Sequence, residues 1–253
     1  FENIMEILKY GMFINNLRNF LDYEEEIPED WDGEMPDTDF KSLEFRNVSF
    51  SYKDEETIKD LSFVITKGQI AALVGHNGAG KTTIIKLLLR LYDPTAGTIY
   101  YNGKDIREYN LKAYRDLFAT TFQDFQMFGM TVKENVLMGR HYENEEELVI
   151  QALKKAGVYD KVMSLKGGLD ALMTKEFDGE GAVLSGGESQ KLAVARTFVK
   201  DAPMKIFDEP SSALDPIAEY ELFRNIMKEG SDHTMLFISH RLSSVKNCDK
   251  VFM

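Results

Sequence analysis

Residues 75–83 read "GHNGAGKTT", with the apolar run "IAALVG" (70–75) leading in and "TIIKLLLRLY" (83–92) leading out. A short apolar run, a glycine-rich turn and a stretch with apolar residues at helical spacing predict a strand, a loop and a helix in that order. The turn fits the spacing G-x-x-x-x-G-K-[ST], a pattern that carries weight only in this strand–loop–helix context. Gly75, Gly78 and Gly80 let backbone N–H groups close around phosphate oxygens, Lys81 reaches the outer phosphates, and the Thr82 hydroxyl is a ligand for Mg²⁺.

A phosphate site that hydrolyses its nucleotide needs a second strand bearing carboxylates, and "PMKIFDEP" (203–210) supplies one. Asp208 is placed to hold Mg²⁺ through water, and Glu209 to accept a proton from an attacking water. An adjacent Asp-Glu pair is most often solvated surface charge. Here it follows the phosphate loop and precedes "SSALD" at what reads as the C-terminal edge of a strand, where open α/β sheets put their ligands. A second glycine-rich stretch, "LSGGESQ" (184–190), runs into the helix-like "KLAVARTFVKD" (191–201). One nucleotide does not need two such loops.

"GHNGAGKTT", "LSGGESQ", "KIFDEPSSALD" and "ISHR", in this order and at these separations, resemble the nucleotide-binding domain of ABC ATPases. The similarity covers about residues 41–253, and "LSGGESQ" resembles a signature that ordinary P-loop kinases and GTPases lack. The resemblance implies an α/β P-loop NTPase of the ABC ATPase type, with a RecA-like core, an antiparallel β subdomain and a helical signature subdomain at about 125–190. It implies ATP and Mg²⁺ as ligands, with Asn77 and Thr83 joining the phosphate-loop residues. Two domains would pair head to tail, so that Ser185, Gly186, Gly187 and Glu188 meet the ATP of the opposing subunit, which then acts as glue between domains. By the same resemblance Tyr52 stacks on adenine, Gln123 senses Mg²⁺ and the attacking water, Asp215 approaches the opposing site, and His240 contacts the γ-phosphate. Taken alone, Tyr52 reads as sheet packing. His76 occupies a variable loop position, and His141 and His233 read as surface residues.

The stretch "TTFQDFQMFGMTVKENVLMG" (120–139) and "YNGKDIREYNLKAYRD" (101–116) are similar to exporter-type transporters. That likeness implies ATP-driven export, a cytoplasmic position at the membrane, and partners in a transmembrane domain of the same chain and a second nucleotide-binding domain. A homodimer with two working sites is the simpler pairing, and the isolated piece is expected to be a monomer without ATP. The alternatives are a soluble ABC ATPase clamping another assembly and a non-hydrolysing dimerisation module. The apolar N-terminal stretch argues against the first, and intact Glu209 and His240 against the second.

The remaining chain fits this frame. Residues 1–21 place Ile4, Ile7, Leu8, Ile14, Leu17 and Leu21 near one helical face. They read as a helix packed on its own domain or as the end of a last transmembrane helix whose upstream half is missing. Residues 22–39 hold ten acidic side chains and no Lys or Arg, so the formal charge of −12 leaves −2 for the other 235 residues. The stretch, broken by Pro28 and Pro36, reads as a solvated acidic linker (22–40), in which Trp31 has no evident role. No basic face for nucleic acid is expected, and no nucleic-acid partner. Cys248 is the single cysteine, which rules out a disulfide framework and zinc spacing. Neither a signal peptide nor an apolar run of about 18 residues is present. The start at Phe1 and the end at "DKVFM", inside an expected strand, suggest a piece of a longer protein with its C-terminal end truncated.

Three positions depart from the ABC pattern. Lys205 stands at an ordinarily apolar place in its strand, which suggests a less buried strand end or a snorkelling amine. In "FDGEGAVLSGG", Gly179 replaces the usual glutamate with Glu180 next to it. Glu188 stands where glutamine is common, and an acid there suits the first turn of a helix.

Overall fold

The computed structural model describes residues 2–23, 27, 33–53, 55–76, 78–174, 179, 181–229, 233–240 and 246–253. In chain order the elements begin with α1 (Glu2–Leu21), β1 (Ser42–Tyr52), β2 (Glu55–Thr66), β3 (Ile70–Val74), α2 (Lys81–Leu88), β4 (Ala96–Tyr101) and β5 (Lys104–Asp105). They continue with α3 (Leu111–Asp116), β6 (Phe118–Thr121), α4 (Val132–Leu137), α5 (Glu145–Ala156), α6 (Tyr159–Met163), α7 (Gly186–Val199), β7 (Met204–Asp208), α8 (Pro216–Glu229), β8 (Thr234–Ser239) and β9 (Lys250–Phe252). Among the described residues two sheets form, a four-stranded antiparallel one ordered β2-β1-β4-β5 and a five-stranded parallel one ordered β6-β7-β8-β3-β9.

Every residue of β7 and β8 is buried, as a parallel sheet covered on both faces requires. Because successive side chains point to opposite faces, each central strand feeds two cores. Ala71, Leu73, Met204, Ile206, Leu236 and Ile238 join α2 and the antiparallel sheet on one face. Ala72, Phe207, Met235 and Phe237 join α4, α5, α7 and α8 on the other. Phe207, fully buried, stacks on Phe237 with ring centroids 5.2 Å apart. Phe207→Ala is expected to cost about 3–5 kcal/mol through the cavity it leaves, read as a lowered midpoint in urea unfolding.

Two of the helices between residues 125 and 172 carry their own end signals. Thr131 and Glu134 close a reciprocal capping box on α4, and α5 ends at Gly157 in the left-handed conformation with Lys154 and Lys155 in its last turn.

Three readings change on contact with the structure. The acidic stretch is solvated only in part, because residues 33–40 are seated on the antiparallel sheet. Glu34 bridges Tyr109, its N–H donates to the Glu108 carbonyl, and its own carbonyl accepts from the Asn110 N–H. The Tyr101 hydroxyl and the Asn102 amide donate to the carbonyls of Asp37 and Asp39, while Lys104 and Lys67 pair with Glu34 and Asp39. Gly33 passes so close that a Cβ would lie 2.4 Å from the Asn110 nitrogen. Trp31 and Pro28 lie outside the described residues.

Lys205 is neither at an exposed strand end nor snorkelling. It is 2% exposed, and its amine stands 5.9 Å from the centroid of the Phe198 ring, a cation–π arrangement that an aromatic neighbour permits inside the core. Finally, α1 forms as expected, but all its described side chains are exposed, Phe13, Ile14, Leu17 and Phe20 among them. No packing of α1 on the domain is seen among these residues, and no described helix is long and apolar enough to cross a membrane.

Burial, and secondarily Asp249, push the half-buried Cys248 thiol up to about 11. Since the thiolate is the reactive species, alkylation by iodoacetamide at pH 8 is expected to be roughly 100-fold slower than for free cysteine. The rate should climb with pH toward 11 and match free cysteine once the chain is unfolded in urea. Parental rates of free cysteine in the folded protein would contradict this environment.

Candidate nucleotide site

The parallel sheet delivers the site at one edge. The turn after β3 forms the glycine loop, β6 leads to Gln123, β7 ends in Asp208 and Glu209, and β8 leads to His240, all at C-terminal strand ends. A cleft of about 490 Å³ there is lined by Thr57, Gly78, Gly80, Lys81, Thr82, Thr83, Gln123 and Glu209.

Gly80 is the N-cap of α2 with φ +82°, and a Cβ on it would lie 3.1 Å from the Thr57 carbonyl oxygen. Both backbone conformation and space therefore demand glycine. The N-cap glycine has no side chain to cap α2, so among the described residues the first N–H groups and the positive end of the dipole are left to an anion. The Lys81 amine donates to the carbonyls of Gly75 (2.8 Å) and His76 (2.9 Å), which holds the loop closed around its own backbone. Asn77 lies outside the described residues.

The Thr82 hydroxyl donates to Asp208 Oδ2 at 2.9 Å. Asp208 is 1% exposed and its Oδ1 is buried with no hydrogen-bond partner among the described residues. Burial pushes this carboxyl up to about 6, with the Thr82 hydrogen bond opposing and the neighbouring Glu209 charge reinforcing the rise. A desolvated carboxylate with one orphaned oxygen beside a threonine hydroxyl is a hard-oxygen donor set that suits Mg²⁺, which takes one or two protein oxygens and fills the rest from phosphate and water. Glu209 has φ +47°, a left-handed conformation uncommon for a non-glycine residue. Its Oε1 lies 3.4 Å from His240 Nδ1.

Other candidates lie apart from this cleft. Tyr52 lines a neighbouring cleft of about 470 Å³ with Phe50, Lys53 and Tyr92, and its ring sits edge-on to both Phe50 and Tyr92 at 4.8 and 5.2 Å. Ser185 is the N-cap of α7 and forms a capping box with Glu188, whose carboxylate accepts from the Ser185 N–H at 2.8 Å and pairs with Lys161 at 3.4 Å. The backbone hydrogen bond at Ser185 holds the Glu188 carboxyl below the ordinary range. Ser185 and Gly186 are exposed. A Cβ on Gly187 would meet the Ala213 carbonyl oxygen and Leu214 Cδ2 at 3.0 Å. Asp215 accepts from the N–H groups of Ile217 and Ala218 at the start of α8, which lowers its carboxyl pKa. Gly179 is exposed, with nothing among the described residues within 4 Å of a Cβ placed on it, whereas Glu180 is outside the described residues.

Residues 58–212 match the family model described as ABC transporter. The chain belongs to the ABC transporter family. Its fold is that of an ABC ATPase domain, and three comparisons with known proteins place it near exporters. The subtilin transport ATP-binding protein SpaT of Bacillus subtilis is 37% identical across 99% of this chain and 41% of its own length. The mitochondrial iron-sulfur clusters transporter ATM1 of Saccharomyces cerevisiae is 36% identical across 100% of this chain and 34% of its own. A bacterial Atm1-family ABC exporter solved with ATP bound superposes with a TM-score of 0.85 at 31% identity, over 99% of this chain and 44% of that one. This ABC domain thus spans about two fifths or less of the length of these two curated relatives.

Within the ABC domain, sequence reasoning passed over three residues that the structure brings to these elements. Thr57 lines the phosphate cleft, Lys161 anchors Glu188, and Gln190 is buried between α7 and the 209–213 turn. The last was detectable, since Gln190 is a polar residue on the helix face that carries Ala193, Val194 and Thr197 inward.

Proposed function

We propose that this chain is the ATP-hydrolysing domain of a membrane exporter, working at the cytoplasmic face and joined through residues 1–40 to a transmembrane domain. The observation that carries the reading is the continuous array Lys81, Thr82, Asp208, Glu209 and His240 at a single sheet edge. The loop N–H groups, the α2 N-terminus and Lys81 hold the triphosphate of ATP. Thr82 and Asp208 would hold Mg²⁺, which supplies charge neutralisation on the phosphate oxygens. Glu209 takes the proton of the attacking water, and Gln123 helps to place that water. His240, within reach of Glu209, meets the γ-phosphate, and Tyr52 offers its ring to adenine.

The signature supports a composite site. Ser185 and Gly186 present a hydroxyl and helix N–H groups outward rather than into their own cleft, the arrangement a second domain's nucleotide would use. ATP then joins two domains and its hydrolysis releases them, so that the chemistry biases an open–closed equilibrium. The test is the mass in solution of the 28.9 kDa chain carrying Glu209→Gln. With saturating ATP and Mg²⁺ it should elute at twice its nucleotide-free mass, and an unchanged monomer would overturn the composite site.

A further inference from the structure

Gln190 sits five residues past Ser185, about a turn and a half along α7, and is 1% exposed. Its two amide N–H groups are both used. They donate to the backbone carbonyl of Glu209 and to the Ser212 hydroxyl, each at 2.9 Å, while Gln190 Oε1 accepts from the Ala213 N–H at 2.8 Å. The Glu209 peptide is therefore held at both ends, since its N–H donates to the Ile238 carbonyl of β8 at 3.1 Å. A left-handed non-glycine residue persists only where its surroundings over-determine it, and these two hydrogen bonds, with a third from the Ser212 N–H to the Glu209 carbonyl at 3.2 Å, are that constraint at Glu209, Gln190 supplying the only side-chain member of the three. The same seam is closed from its other end by Gly187 against Ala213 and Leu214.

We propose that Gln190 is a positioning residue that makes the signature helix, the 212–213 turn and the general base move as one unit, so that engagement of the signature by a second domain's ATP sets the aim of Glu209 in this domain. The proposal rests on the function given above. It predicts that each subunit's hydrolytic competence depends on what its signature is reading, a coupling between two sites through one buried amide. A residue that merely fills space would need only volume at this position, whereas the observed geometry uses both donors and the acceptor.

The experiment is single-turnover ATP hydrolysis and ATP affinity in the full-length protein, for the parent, Gln190→Leu, Gln190→Glu, Ser185→Ala, the Ser185→Ala/Gln190→Leu double variant and Glu209→Gln. Gln190→Leu keeps the volume, and is expected to slow hydrolysis at least about tenfold with ATP affinity within about threefold of the parent. Gln190→Glu retains acceptance from Ala213 but has no N–H for the Glu209 carbonyl, so it should slow hydrolysis in the same direction, and it carries the test if the leucine variant does not fold. The double variant should lose no more than about twofold beyond the worse single one, because the signature then has nothing left to transmit. A Gln190→Leu rate within about twofold of the parent, or effects of Ser185→Ala and Gln190→Leu that multiply, would overturn the relay. Loss of rate in Glu209→Gln with a parental rate in Gln190→Leu overturns the relay alone. A parental rate in Glu209→Gln removes the proposed function and the relay with it.

Discussion

Glu209→Gln is expected to lower steady-state ATP turnover by about 10²–10⁴-fold, the range set by removing a positioned general base, while leaving ATP affinity within about threefold. The amide has the size of the carboxylate but cannot accept the proton of the attacking water. The change leaves the backbone of residue 209 held by Ile238 and Gln190, so the loss is chemical rather than architectural. A factor of 10³ corresponds to about 4 kcal/mol of transition-state stabilisation. Phosphate release from the purified full-length protein reads the effect. Turnover within tenfold of the parent would remove Glu209 from the role of base and leave His240, 3.4 Å away, as the group to test next.

Asp208→Asn should separate stability from function. In the metal-free and nucleotide-free protein the Asp208 carboxyl is raised from 3.8 to about 6, chiefly by burial. Between those values the folded protein retains a proton that the unfolded chain has released. The contribution to stability is therefore complete below about 3.8 and lost as pH rises through about 6. At pH 7.5 the ionised, buried group costs up to about 3 kcal/mol. Asparagine removes the charge but leaves amide hydrogens where Oδ1 had no partner, which offsets part of the gain. The variant should be about 1–2 kcal/mol more stable than the parent at pH 7.5 in chelator, with the difference shrinking toward pH 5. Its Mg²⁺-dependent turnover should fall at least about 100-fold. Urea unfolding at the two pH values together with an ATPase assay decides it; a parent as stable as the variant at pH 7.5 would show that the carboxylate is not strained by burial.

The sequence carried the parts of the site in which local chemistry is sufficient. The strand before Gly75, the glycine-rich turn up to Gly80 and the helix after it each depend on a few neighbouring residues, and each lies where its pattern put it. What escaped depends on distant partners. Nothing near Glu34 announces that Tyr109 and Asn110 will receive its backbone, and nothing near Lys205 announces Phe198. Tyr52 was legible as an aromatic at the end of β1, yet its edge-on contacts come from Phe50 and Tyr92, and Tyr92 lies 40 positions onward. Gln190 was visible as a polar interruption of an apolar face, but its three partners come from a turn some twenty residues later.

The seating of residues 33–40 on the antiparallel sheet has a mechanical meaning. From Tyr23 to Gly33 ten residue steps reach at most roughly 35 Å, and from Gly33 on the chain is moored to the sheet. A tug arriving along the chain from α1 would be delivered at Gly33 and Glu34 onto the backbone of residues 108–110, and from there into β4 and β5. The pull enters at the β4–β5 end of the antiparallel sheet, the end opposite β2, whose Thr57 lines the phosphate cleft, so it reaches the place that grips the nucleotide only across the whole width of that sheet.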